Sequence, residues 1–289
     1  MDPLASLGKH GLFLDDAAER VVGRPDRASL PLKTAEGVRL LAKVYPDERG
    51  ETTFTNMTLL WESSFGGRRT PPGLPRPLRY LHDSNVLVME RLEGRTLLEV
   101  GDLSDEHLDA AARLLADLHE AGVYPKRNRS SHKLLLSAWR KVDRVAELAP
   151  RFAADLRRVV EALDAAPRPD AELVACHGEF SPRNLLVGEG RHALLDWDRL
   201  QRADPARDVA YFGTWCWVHS LRQRTDDWSV LDRFTAAYLR HRPHADPTPR
   251  LAFHVAVGLL RIAQGCVEHW PEDVHLVPRI TAEALRRLS

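Results

Sequence analysis

The chain has 289 residues, with 41 Lys and Arg against 41 Asp and Glu, and 44% of its residues are hydrophobic. That length fits one large domain or two lobes, and the zero formal charge gives no electrostatic support to a general nucleic-acid-binding surface. Cys176, Cys216 and Cys266 are widely separated and show no paired spacing, so neither a disulfide framework nor a structural zinc site is expected, and a reducing cytosol is the natural setting.

The chain begins Met1-Asp2-Pro3, without a basic segment leading into an apolar core, so no signal peptide is expected. No uninterrupted apolar run reads as long enough to cross a bilayer. Gly23-Arg24-Pro25-Asp26-Arg27-Ala28-Ser29 is a turn with a single Gly. Alternation then predicts a strand over Arg27 to Lys33, a turn at Ala35-Glu36-Gly37 and a second strand over Val38 to Tyr45, together a hairpin. A helix is predicted over Thr53 to Phe65, a Gly-, Pro- and Arg-rich loop over Gly66 to Pro77, and an apolar strand over Asn85 to Glu90.

After Gly94 the pattern turns helical. Ser104 caps a predicted helix whose first turn carries Asp105 and Glu106, whose buried face holds Leu108, Ala111, Leu115 and Leu118, and whose stop is Gly122. Further helices are predicted over His132 to Ala149, Arg151 to Ala165, Asp204 to Arg222, Ser229 to His241, Pro249 to Val267 and Glu272 to Leu288. Pro150, Pro243 and Pro271 help to mark their limits. Two short strands, Leu185 to Val187 and Ala193 to Leu195, flank the turn Gly188-Glu189-Gly190. The expectation is an α+β, bilobal chain: a small antiparallel-sheet lobe over residues 1–90 and a larger, mainly helical lobe over 91–289.

The segment His177-Gly-Glu-Phe-Ser-Pro-Arg-Asn-Leu-Leu186, followed by Asp196-Trp197-Asp198, concentrates the chemistry. Phosphoryl transfer of the protein-kinase type needs a carboxylate to accept a hydroxyl proton, an Asn five residues on to hold a metal ion, and an Asp beyond a short hairpin to bridge metal and phosphates. Glu179, Asn184 and Asp196 stand in that order and at that spacing. The hairpin is expected to carry Asn184 and Asp196 at its open end.

With these elements placed, the chain resembles the aminoglycoside phosphotransferase and choline kinase group, small-molecule kinases of protein-kinase-like fold, over most of its length. The strongest segments are His177 to Leu186 and Leu194 to Asp208. Leu41-Ala-Lys-Val-Tyr45, Val86 to Leu97 and Leu115 to Gly122 support them, in the family's order. The resemblance implies use of ATP and Mg2+. It makes Lys43 the lysine that contacts the α and β phosphates, and Asn184 and Asp196 the metal ligands. Residues Val88 to Leu92 become the hinge, with Met89 lining the adenine pocket and the backbone of Glu90 and Leu92 facing the base. Glu179 takes the place of the proton acceptor, His177 braces the loop, and Asp208 ties that loop to the following helix. Asp198 either assists metal binding, orients Arg199, or faces solvent.

Three departures qualify the resemblance. The family has Asp where this chain has Glu179, and displacing a carboxylate by about an ångström costs on the order of 100-fold in rate. Aligning Leu59 and Leu60 with the family's apolar helix positions puts Asn56 where the glutamate partner of Lys43 belongs. Either Glu62 serves after a shift or the pair is absent. The family's phosphate loop falls on the turn at residues 23–29, whose single Gly favours close backbone cradling of phosphates less than a Gly-rich loop does.

Acceptor recognition in the family belongs to the helical lobe. Tyr211, Trp215, Trp217, His219, Asp226, Asp227, Trp228, Glu268, Trp270, Glu272 and Asp273 are candidates there, for a polyhydroxylated or cationic compound or as ordinary core and surface residues. The leading expectation is transfer of a γ-phosphoryl group from ATP to a hydroxyl of a small molecule, an antibiotic or another specialised metabolite, in the cytoplasm. Alternatives are a Ser/Thr kinase of peptides and a nucleotide-binding regulator with weakened catalysis. Neither nucleic acid nor membrane is an expected partner, and the oligomeric state is open.

Overall fold

The computed structural model describes residues 3–15, 28–167, 171–188 and 190–289. Most of the turn predicted at 23–29, the first residue of the strand predicted from Arg27, and Glu189 of the hairpin turn lie outside the described residues. In chain order the elements are α1 (Pro3–Lys9), β1 (Leu12–Leu14), β2 (Ser29–Thr34), β3 (Arg39–Val44), α2 (Arg49–Trp61), β4 (Pro77–Leu81), β5 (Val86–Glu90), β6 (Arg95–Thr96) and α3 (Leu97–Val100). There follow α4 (Asp105–His119), β7 (Asn128–Arg129), α5 (Ser131–Leu148), α6 (Ala153–Ala165), β8 (Val174–Cys176), β9 (Leu185–Gly188), β10 (Arg191–Leu194) and β11 (Gln201–Ala203). The chain ends with α7 (Ala206–Arg222), α8 (Ser229–His241), α9 (Thr248–Glu268) and α10 (Val277–Leu288).

Two compact units form, Met1–Val100 with Leu185–Leu200, and Gly101–Asn184 with Gln201–Ser289. The expected boundary lies after residue 90, with the hairpin in the second part. In the structure β6 pairs with β9, Thr96 opposite Leu186, and this pairing draws the β9–β10 hairpin into the first unit.

The first unit holds an antiparallel sheet in the order β1-β2-β3-β5-β4. Alternation along β3 sends Leu40 and Ala42 into a core with Leu32, Val86 and Val88. Lys43 and, just past the strand, Tyr45 therefore share the opposite face. Helix α2 begins four residues earlier than predicted, because Gly50 fits against the aromatic rings beside it. A Cβ on Gly50 would lie 2.5 Å from the Tyr45 ring and 2.9 Å from that of Tyr80. Strand β4 was not foreseen. It starts on Pro77, pairs among the described residues with β5 alone and is an edge strand with little periodic signal.

In the second unit α4 begins where expected, with the Ser104 hydroxyl accepting from the His107 N–H at 3.4 Å. Leu108, Ala111, Leu115 and Leu118 are buried as its periodicity predicts. By length and composition α9 could pass as a membrane span, but its apolar run is interrupted by Arg261 and most of it is buried against α5, α7 and α10. The three cysteines are unpaired and buried. A short sheet, β7-β11-β8, ends at Cys176, and the loop that follows inserts Phe180 against Phe212 of α7 and Phe234 of α8, with ring centroids 5.6 and 5.8 Å away. That buried ring ties the loop carrying Glu179 to two helices.

Candidate active site

Within the first unit one cation meets two acids. Lys43 Nζ lies 2.6 Å from Asp196 Oδ1 and 2.9 Å from Asp198 Oδ2. Burial works to lower the lysine pKa, but the carboxylates of Asp196 and Asp198 outweigh it and raise the pKa, so Lys43 is charged at neutral pH. The Asp198 carboxylate also accepts from the Tyr45 hydroxyl at 2.6 Å and from the Thr53 hydroxyl of α2 at 3.3 Å. Burial and the charge of Asp198 together push the Tyr45 pKa far up, so its phenol stays protonated and donates.

Asp196 has φ 62° and ψ 70°, the left-handed conformation that non-glycine residues rarely adopt. Such a backbone costs on the order of 1–3 kcal/mol and persists only where the surroundings enforce it. The neighbouring Trp197 supplies that enforcement. It is 2% exposed, packs edge-on against Phe65 at 5.8 Å and donates its indole N–H to the Leu194 carbonyl at 2.9 Å.

Glu62 stands at the C-terminal cap of α2 with its side chain exposed, and it makes no ion pair among the described residues. Among the described residues Lys43 pairs with Asp196 and Asp198 rather than with Glu62, so of the two expectations for this position it is the absent helix pair that fits. In the predicted hinge, Met89 is buried in β5 opposite Leu41. The Glu90 carboxylate accepts from the Arg76 N–H at 3.0 Å and from Arg191 at 3.2 Å, and its N–H donates to the Arg76 carbonyl. Leu92 is half-buried just beyond.

Within the second unit the acids bind backbone and side-chain donors. Asp208, on the first turn of α7 and fully buried, accepts from the N–H groups of His177 at 2.6 Å and Gly178 at 2.8 Å. Gly178 takes φ 80°, which a side chain would oppose. Burial alone would raise the Asp208 pKa, but the hydrogen bonds from His119 and from the Gly178 N–H hold it below the ordinary value. Burial lowers the His119 pKa, and the neutral ring sits between Asp208 at 3.5 Å and the Tyr238 hydroxyl at 2.8 Å. His119, Cys176 and Asp208 could between them present three metal-ligand atoms. Burial raises the Cys176 pKa well above its ordinary value, and its thiol faces the carbonyls of Ala203 and Asp204 at 3.5 Å, so this trio fits a hydrogen-bonded core.

Glu179 receives the Asn184 side-chain N–H on its backbone carbonyl at 3.0 Å, and its own N–H donates to His177 Nδ1 at 3.3 Å. Its carboxylate forms an ion pair with Arg261 of α9, whose guanidinium also donates to the Gly178 carbonyl at 2.7 Å and lies over the Tyr211 ring at 4.7 Å. The Asn184 amide is 5% exposed and oriented by its nitrogen, which turns the carbonyl oxygen away from Glu179. The Asn184 amide oxygen in the second unit and the Asp196 carboxylate in the first are each hard oxygen donors of the kind magnesium takes, and the Lys43 cation is of the kind that meets phosphate.

Several proposed acceptor residues have work inside the fold. Trp217 is fully buried, stacks on Trp228 at 4.8 Å and donates to Asp226 at 2.7 Å, while Asp273 pairs with Arg222 and Glu268 with Arg144. Tyr211, of that set, lies under the guanidinium of the arginine that holds Glu179. Arg261 itself is not among the residues that the sequence motifs single out. Its signal was a charge inside a largely apolar helix, a position that demands a partner.

Comparison with known proteins agrees with this architecture. Residues 32–253 match the model of the phosphotransferase enzyme family. A choline kinase from Cryptosporidium parvum Iowa II superposes with a TM-score of 0.67 at 10% identity, covering 96% of this chain and 89% of that one. An aminoglycoside phosphotransferase in a ternary complex with ADP and hygromycin B gives 0.66 at 14% identity, covering 98% and 96%. An aminoglycoside-3'-phosphotransferase of type VIII gives 0.57 at 23% identity, covering 86% and 93%. No curated protein matches the sequence. With the family model spanning most of the chain and the kinase-like fold shared throughout, the chain belongs to the phosphotransferase enzyme family and is a phosphotransferase of protein-kinase-like fold.

Proposed function

We propose that the chain is an ATP- and magnesium-dependent O-phosphotransferase acting on a hydroxyl group of a small molecule, an antibiotic or another specialised metabolite, in the cytoplasm. The observation that carries this reading is the half-buried Lys43 ammonium held 2.6 Å from Asp196, an acid in the left-handed backbone conformation. Nothing in a purely structural ion pair requires that conformation. In this reading Lys43 contacts the α and β phosphates, and residues 88–92, with Met89, Glu90 and Leu92, receive the adenine. Asn184 and Asp196 hold magnesium, which when bound neutralises charge on the phosphates. Glu179 orients the acceptor hydroxyl and accepts its proton, with its carboxylate aimed by Arg261. The similar enzymes of solved structure include one holding ADP and hygromycin B, which supports a nucleotide and a polyhydroxylated acceptor for this chain as well.

Calorimetry with MgATP, followed by an ADP-release assay across aminoglycosides, macrolides, amino alcohols and sugars, tests the proposal. Micromolar to millimolar MgATP binding with acceptor-dependent ADP release is the expected result. MgATP binding without transfer to any hydroxyl compound would favour a regulator, and no nucleotide binding would end the reading.

A further inference from the structure

The departure in α2 leaves a physical question. A lysine that must meet phosphates has to be held in one place before they arrive, and in the family this chain resembles a helix glutamate does so. Here Asn56 is uncharged and Glu62 lies past the helix end. Lys43 is nonetheless half shielded and firmly paired, its side chain 14% exposed.

We propose that Asp198 is the positioning residue for Lys43, doing from the segment after β10 what a helix glutamate would do from α2. This inference rests on the nucleotide-binding role given to Lys43 above. The geometry separates the two acids that share the lysine. Asp198 is 9% exposed and Asp196 30%. Both Asp198 oxygens are engaged within the first unit. Oδ2 meets the ammonium at 2.9 Å, and Oδ1 accepts from the Tyr45 hydroxyl at 2.6 Å and the Thr53 hydroxyl at 3.3 Å. Tyr45 sits two residues from Lys43 on the same face of the sheet, and Thr53 sits on the buried side of α2. Asp198 therefore couples the lysine to both the strand and the helix, as a glutamate on α2 would. Asp196, more exposed, remains the acid able to turn towards a metal. With Asp198 fixed, Lys43 keeps a counter-ion when Asp196 does so.

The competing role for Asp198 is a second metal ligand, and the two are separable without any turnover measurement. ADP binding is measured by calorimetry with and without Mg2+ for the wild type, Asp198→Asn, Lys43→Met and the double variant. Positioning predicts that Asp198→Asn weakens Mg-free ADP binding about tenfold, the size of a coupling between contacting groups. It also predicts that the double variant binds no more weakly than Lys43→Met alone. A loss confined to the magnesium-containing titrations would make Asp198 a metal ligand and overturn the inference. So would losses that add in full on the Lys43→Met background. Should Asp198→Asn fail to fold by circular dichroism, Tyr45→Phe replaces it. A smaller Mg-free loss that vanishes with Lys43→Met supports positioning, and unchanged affinity overturns it. A wild type that binds no ADP would instead refute the nucleotide reading itself.

Discussion

The acids of the first unit and those of the second are held in different ways. Asp196 and Asp198 share one ammonium, and they lie two residues apart in the chain and are 30% and 9% exposed. Asp208, fully buried, is bound to two backbone N–H groups and a neutral His119, while Glu179 is clamped by a guanidinium that also grips the backbone of Gly178. An ion pair that shares a lysine between two carboxylates can be redistributed when an anion or cation enters, at modest cost. An acid whose lone pairs are filled by backbone donors cannot move without unfolding its loop. The first arrangement suits ligand exchange, and the second suits a fixed catalytic platform.

The largest effect expected on this contrast comes from Asp208→Ala. It leaves two buried N–H groups and His119 without their acceptor, and stability should fall by about 3–5 kcal/mol. The urea midpoint at unchanged m-value measures this, and a loss under about 1 kcal/mol would show that the second region is less rigid than drawn. Next in size is Glu179→Gln, for which turnover should drop about 100-fold or more with nucleotide affinity retained. Asp196→Ala should do the reverse, weakening MgATP binding first. Equal MgATP affinity in the two variants would remove the distinction between the regions.

Arg261→Met should lower kcat about tenfold, because the Glu179 carboxylate loses its aim while its charge remains. Arg261→Lys, which keeps the charge but not the forked geometry, should recover part of it. An unchanged kcat in Arg261→Met would show that the loop alone aims Glu179. The smallest effect is on the pH dependence of stability. The pKa of His119 is lowered from 6.5 by burial, so the folded state disfavours the proton that the unfolded chain accepts. The contribution is therefore fully present above pH 6.5 and is lost as pH falls from there to the folded value, with a slope of at most about 1.4 kcal/mol per pH unit. His119→Gln should flatten that part of the profile. Asp208, with a depressed pKa, contributes in the same sense but only at lower pH, below its ordinary 3.8. A profile of unchanged slope between pH 6.5 and 4 in His119→Gln would place the acid sensitivity elsewhere.

How much was legible beforehand depended on the range of the interaction. Ser104 and the apolar stripe of α4 lie within one helix, so capping and periodicity locate its first residue, although the helix ends at His119, before the expected stop at Gly122. The β2–β3 hairpin and the β9–β10 hairpin were readable because their partners are neighbours in the chain. The start of α2 was misplaced because Pro46-Asp47-Glu48 and Gly50 look like a turn until the rings of Tyr45 and Tyr80 are seen against Gly50. Strand β4 was invisible since an edge strand headed by Pro carries no clear alternation.

By itself the sequence determined which chemical groups are present and in what order: an amine at Lys43, carboxylates at Glu179, Asp196 and Asp198, and an amide at Asn184, each attached to a locally predictable element. Their pairing was decided by tertiary structure alone. The Lys43 to Asp196 bond spans 153 residues and the Arg261 to Glu179 bond 82, and no local periodicity encodes either. Charge pairing over such separations depends on where packing carries each backbone. For that reason Asp198 could replace a helix glutamate, and Arg261 could hold an unusual acid, without any mark on the motif itself.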